Sequence, residues 1–316
     1  MIRIVWHVLV FGTVCLLFSE NLLSDESGDP QGYTDVVQFR DDFIAVGTDG
    51  RIDSISRSGS IVPVDRSNSN RLNCAFSNHD LVVVAGDQGT ILYSFDGKQF
   101  AHAESGSDKP IYEITSQNGL IFAGTEKGIV LVSEDGNLWG QITTHARGDI
   151  ISLSANPFFM IGITTEGEII KSFDAINWEI SDYNQAYAGY NPLSTFKKIL
   201  ATENSILIIG THDNGSPSLL SSSLGNVWAE RVPVYHDHED MIVYLEETPN
   251  DLVYDSDQDQ FILACDKGVL FALPTCTKCN KYFKTSETDL NALICVKNYL
   301  MVVGDQYAVF SETLTF

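Results

Sequence analysis

A short apolar run that ends in a small residue recurs along the chain, each time followed by a polar turn with a glycine. The first four runs are Phe43-Ile-Ala-Val-Gly47 with Gly50, Leu81-Val-Val-Val-Ala-Gly86 with Gly89, Leu120-Ile-Phe-Ala-Gly124 with Gly128, and Phe158-Phe-Met-Ile-Gly162 with Gly167. Ile206-Leu-Ile-Ile-Gly210 with Gly215 and Phe261-Ile-Leu-Ala-Cys265 with Gly268 follow. The last, Leu300-Met-Val-Val-Gly304, lacks the second glycine. Runs this short, rich in β-branched residues and bounded by turn residues, read as buried strands. No segment sustains a helical period, which argues against a parallel α/β fold.

The anchors at 47, 86, 124, 162, 210, 265 and 304 lie 39, 38, 38, 48, 55 and 39 residues apart. A sheet of about forty residues cannot bury both of its faces alone, but copies set around a ring bury one another. The pattern predicts an all-β fold, a β-propeller of seven four-stranded blades over residues 24–316. The blades fall at 34–70, 71–108, 109–148, 149–195, 196–248, 249–288 and 289–316. The final unit has room for three strands, and residues before Tyr33 are expected to supply the fourth, locking the termini together.

A second motif falls after the turn glycine in five units. Ser94-Phe-Asp96-Gly97-Lys-Gln-Phe100 and Ser133-Glu-Asp135-Gly136-Asn-Leu-Trp139 are complete or nearly so. Ser172-Phe-Asp174-Ala-Ile-Asn-Trp178 lacks the glycine, and Ser222-Ser-Leu-Gly225-Asn-Val-Trp228 lacks the aspartate. Ser56-Arg-Ser-Gly59-Ser-Ile-Val62 is degenerate. These segments resemble the Asp-box (BNR, sialidase-like) repeat, and the style of repeat is similar to that of the photosystem-assembly-factor propellers. The resemblance covers roughly residues 34–316. It implies that Asp96, Asp135 and Asp174 accept backbone N–H groups in the turn between third and fourth strands. It also implies that Trp139, Trp178 and Trp228 wedge between blades. These residues are structural under that reading, since such boxes lie away from the catalytic face.

The amino terminus adds a compartment. Arg3 precedes an uncharged apolar run, Ile4–Phe18, of signal-peptide length, so residues 1–23 are expected to be a signal peptide. The protein is then secreted or displayed at the cell surface, and an uncleaved N-terminal anchor is its one route to a membrane. Of six cysteines, Cys265, Cys276, Cys279 and Cys295 cluster near the C-terminus. In an exported chain local disulfides are expected there, Cys276 with Cys279 and Cys265 with Cys295 being one pairing of three. Cys74 is left over and expected to be buried.

A net charge of -23 argues against nucleic-acid binding, because such a surface repels phosphates. Enzyme signatures are scarce. Phe39-Arg40-Asp41-Asp42 departs from the Phe-Arg-Ile-Pro of sialidases after two residues, and nothing gathers three arginines. No GxSxG, HExxH or Walker loop occurs. The expectation is a non-catalytic propeller that binds a protein or a glycan. The alternative is a glycoside hydrolase built on two carboxylates, favoured by a carboxylate cluster at the mouth of the central channel.

Extra loop length marks the expected site. The connections 181–192 and 234–241 and the turn 211–215 are long, and meander topology puts all three on one face. Tyr183, Tyr187, Tyr190 and Tyr235 are candidates for stacking on a sugar or anchoring a partner, or else for packing the loops down. His212, Asp213, His236 and His238 are further ligand candidates. No resident cofactor is expected. The His-x-His pair makes a surface divalent metal the one conceivable addition, against the plainer reading of a solvated acidic loop.

Overall fold

The computed structural model describes residues 31–186, 193–275, 280–297 and 299–313. It is a seven-bladed β-propeller. Six blades, spanning 33–65, 72–102, 111–143, 150–182, 193–231 and 249–284, are four-stranded antiparallel meanders. The seventh, 290–313, has three strands among the described residues. The segment expected to supply its fourth strand lies outside them, as do residues 1–23, expected to be a signal peptide. Gly32 bridges Asp305, in the turn between the second and third strands of blade seven. Among the described residues, no helix is long and apolar enough to cross a membrane.

Strand position explains composition. Second strands such as Val82–Gly86 are buried along their whole length because a neighbouring blade covers each face. Fourth strands such as Glu179–Asp182 form the outer wall and are largely exposed. Each first strand lies beside the first strand of the next blade, and Leu290–Val296 lies beside Tyr33–Phe39 to close the ring.

The core belongs to the seams between blades. Among the described residues there are seven apolar clusters, and each is shared by two neighbouring blades. Phe43 and Ala45 of blade one meet Met301 and Val303 of blade seven at the closing seam. The Ser-x-Asp-Gly turns reinforce these seams. The Ser133 hydroxyl accepts the Gly136 N–H at 2.9 Å, and Asp135 accepts those of Asn137 and Leu138 at 2.9 and 3.0 Å. Trp139 then folds back, donates to the Gly136 carbonyl at 3.0 Å and packs against Leu81 and Val83 of the preceding blade. Trp178 and Trp228 likewise pack onto blades three and four, although the buried Trp178 indole N–H finds no hydrogen-bond partner among the described residues.

Strand pairing corrects the repeat register. Opposite Tyr33, Leu72, Ile111, Ile150, Phe196, Pro249 and Leu290 stand Gly47, Gly86, Thr125, Thr164, Gly210, Cys265 and Gly304. Thr125 and Thr164, not Gly124 and Gly162, are therefore the equivalent positions. The first four anchors then lie 39 residues apart (47, 86, 125, 164), the separation of the equivalent pair Ser152 and Glu113. The reason is steric. A Cβ at Gly86 would stand 1.9 Å from the Arg71 carbonyl, whereas the Thr125 hydroxyl donates to the matching Pro110 carbonyl at 2.6 Å.

Candidate functional site

In each meander the turn between second and third strands and the link to the next blade emerge at one end, and the turn between third and fourth strands at the other. The first end carries the chain's unusual additions. The link 183–192 begins with a short helix, Tyr183–Ala186. The link between blades five and six folds into a hairpin of its own, Val234–His236 paired with Ile242–Tyr244. It forms because Asp237 accepts the Glu239 and Met241 N–H groups, both at 2.9 Å, and reverses the chain.

Hairpin geometry separates the aromatic candidates. Tyr235 points inward, stacked on Tyr282 at 4.5 Å and edge-on to Phe271 at 6.5 Å. It glues the hairpin to blade six and is not a free stacking platform. Tyr183 is buried against Phe196 in the seam between blades four and five. Both tyrosines thus pack the long links down. Tyr187 and Tyr190 lie outside the described residues.

The histidines do not converge. His236 Nδ1 meets Asp240 Oδ1 at 2.9 Å, while His238 is exposed on the turn. The reversal at Asp237 breaks the extended geometry that a His-x-His pair needs to place both rings on one side. Among the described residues, no three His, Cys, Asp or Glu side chains gather as metal ligands would. Cys74, Cys265 and Cys295 are free thiols, so the Cys265–Cys295 bridge does not form. Cys265 stands at the end of its strand in the seam between blades five and six, and Cys295 packs in the seam between six and seven. Cys276 and Cys279 lie outside the described residues.

His212 does reach a cleft. The cleft measures about 480 Å³ and is lined by His212, Asn214, Glu230, Val232, Tyr244 and Glu246, among others. His212 is buried, and its Nε2 meets Glu230 Oε1 at 2.8 Å. Asp213 is exposed on the turn beside it. The outer face of the hairpin continues the cleft as an apolar surface. Val232, Ile242 and Tyr244 are 57, 62 and 65% exposed. Glu230, Ile242 and Tyr244 escaped sequence reasoning because they sit in ordinary strand-like stretches. The long link was the visible signal, but its hairpin pairing was not.

A second constellation lines the channel. The equivalent residues of the seven first strands, one step past a bulge, are Asp35, Cys74, Glu113, Ser152, Lys198, Asp251 and Ala292. Lys198 Nζ lies 2.6 Å from Glu113 Oε2 and 3.6 Å from Asp251 Oδ1, and Ser152 donates to Glu113 at 3.1 Å. Asp35 and Asp251 each accept an N–H of the next blade, from Ala75 at 2.7 Å and Leu293 at 3.0 Å. Burial drives the Asp35 pKa up to about 7, against the opposing pull of Lys198. Burial also raises Glu113 and Asp251. Burial alone would lower the Lys198 pKa, but the fields of Glu113, Asp251 and Asp35 override it and hold the ammonium. Sequence reasoning missed this ring because its members align only in the register that strand pairing supplies.

No protein-family model matches the chain, and no curated protein matches it in sequence. The WD40 propeller domain of Doa1 is similar in structure at a TM-score of 0.66 and 13% identity, covering 89% of this chain and 92% of that one. YCF48 from Cyanidioschyzon merolae is similar at 0.65 and 14%, covering 90% and 95%. A structure of YCF48 bound to D1 peptide is similar at 0.66 and 13%, covering 88% and 91%. At such identities the likeness is one of architecture, and the conclusion it supports is that this chain folds as a seven-bladed propeller.

Proposed function

We propose that the chain is an exported, non-catalytic propeller that binds a protein partner through the hairpin 234–244 and the neighbouring turn 211–216. The observation that carries this reading is the outer hairpin face. Val232, Ile242 and Tyr244 stay in water beside an open cleft, although the hairpin is well anchored through Tyr235. A grouped apolar surface on an ordered element marks an interaction site more often than a scattered one does. Peptide binding by a propeller of the same architecture, YCF48 with D1 peptide, adds support. A glycan is the weaker partner, because the described tyrosines that would form a sugar shelf, Tyr183 and Tyr235, are engaged in packing.

The test compares partners recovered by cross-linking in the native extracytoplasmic fraction. An Ile242→Asp, Tyr244→Asp variant should lose them, and Phe95→Asp on the Asp-box face should keep them. Identical recovery from both variants would reject the hairpin as the docking face.

The channel carboxylates favour a second reading, a glycoside hydrolase with an acid held near neutral pH. Their engagements oppose it. Glu113 is neutralised by Lys198, and Asp35 and Asp251 tie neighbouring blades through backbone N–H groups. Turnover of reporter glycosides that disappears in Glu113→Gln would establish the hydrolase instead.

A further inference from the structure

The cleft beside the hairpin has a floor of acceptors and a rim of apolar surface. His212 Nε2 donates to Glu230 Oε1 at 2.8 Å, which leaves Nδ1 as the ring's other nitrogen. That Nδ1 is buried and has no hydrogen-bond partner among the described residues. Glu230 and Glu246 line the same cleft, and the Asn214 side-chain oxygen is turned back on Ser216. The turn and hairpin segments that flank it in sequence also carry Asp213, Asp237, Asp240 and Glu247. Arg231, the one Lys or Arg between 206 and 248, is turned away and donates to the Pro274 carbonyl at 2.9 Å. Val232, Pro233 and Tyr244 make up the apolar wall.

We propose that this cleft receives a lysine or arginine side chain of the protein partner, flanked by apolar residues that lie on Ile242 and Tyr244. This deepens the protein-binding reading and rests on it. A cation supplies donors to the acceptors already in place, and its aliphatic stem suits the Val232, Pro233 and Tyr244 wall. The Tyr244 ring adds a face for the charge. An acidic segment would meet unscreened carboxylates at the same spot.

The test selects a random dodecapeptide library on the wild-type protein and measures enriched peptides by fluorescence anisotropy at two salt concentrations. Enriched sequences should carry Lys or Arg beside apolar residues. Glu230→Gln with Glu246→Gln should weaken them roughly tenfold and flatten their salt dependence, the size of loss typical of a removed charge-assisted contact. Circular dichroism checks that the variants fold, and both sites are solvent-facing. Ile242→Ser with Tyr244→Ser should weaken binding without altering the salt slope. Enriched peptides lacking a cation, equal binding to the glutamine variant, or no enrichment would each overturn the proposal. In those cases the hairpin variants of the cross-linking test still decide the broader reading.

Discussion

At the scale of single residues, the Ser-x-Asp-Gly turn shows why its letters recur. Gly97, Gly136 and Gly225 take φ of 71, 78 and 77°, and Ala175 occupies the same place at 60°. That conformation costs an L-residue roughly 1–2 kcal/mol, whereas the buried Ala175 methyl returns about 0.8 kcal/mol. Ala175→Gly is therefore expected to raise stability slightly, by less than about 1 kcal/mol, in urea unfolding. Gly136→Ala should do the reverse and cost more, since its methyl also meets Leu81 Cδ2 at 2.9 Å. A destabilised Ala175→Gly protein would show that the methyl's packing outweighs the strain. Trp139→Ala removes the wedge itself and should cost about 3–5 kcal/mol. These turn residues were readable from spacing alone, because their contacts are mostly within the motif. The channel ring was not, because a lysine paired with a glutamate 85 positions earlier leaves no local trace (Lys198 with Glu113).

At the scale of strands and hairpins, local pattern located every blade but misplaced two anchors. In blades three and four a glycine lies one or two residues before the true strand end, and the eye stops there. The pairing continues to Thr125 and Thr164. Gly86→Ala should be severe, since main chain of the adjoining strand would have to move, and thermal denaturation should show a loss of several kcal/mol, about 3 or more. Thr125→Ala should cost only its buried hydrogen bond, about 1 kcal/mol. The hairpin is the opposite case, an element hidden in what read as an acidic loop. Tyr235→Ala should release it while sparing the ring. Amide exchange across 234–244 should quicken with little change in the main melting temperature; an unchanged exchange rate would mean that Tyr235 is not its anchor.

At the scale of the whole molecule, the channel ring makes stability depend on pH. Asp35 titrates near 7 in the fold and near the ordinary carboxylate value when unfolded. The folded state thus holds a proton that the unfolded chain releases between about pH 4 and 7. Its stabilising effect is complete below that window and is lost as pH rises through 7, at up to roughly 1 kcal/mol per pH unit. Glu113 and Asp251 act in the same direction. Carboxylates held below their ordinary values act oppositely, Asp135 through turn N–H groups and Glu168, against its burial, through the Arg147 guanidinium and the Gly148 and Arg147 N–H groups, and their contribution is lost at still lower pH. Melting temperature should therefore climb from pH 7.5 to about 5 and fall again in stronger acid, and Asp35→Asn should flatten the upper limb. A curve that only falls on acidification would refute the assignment.

Because every apolar cluster has two owners, no blade can come loose by itself. Detaching one would strip its neighbours on both sides, and the hoop would then lack the curvature that keeps the rest together. Melting is thus a property of the circle, set by its weakest joint. Mending that joint, wherever it lies, would harden the entire protein.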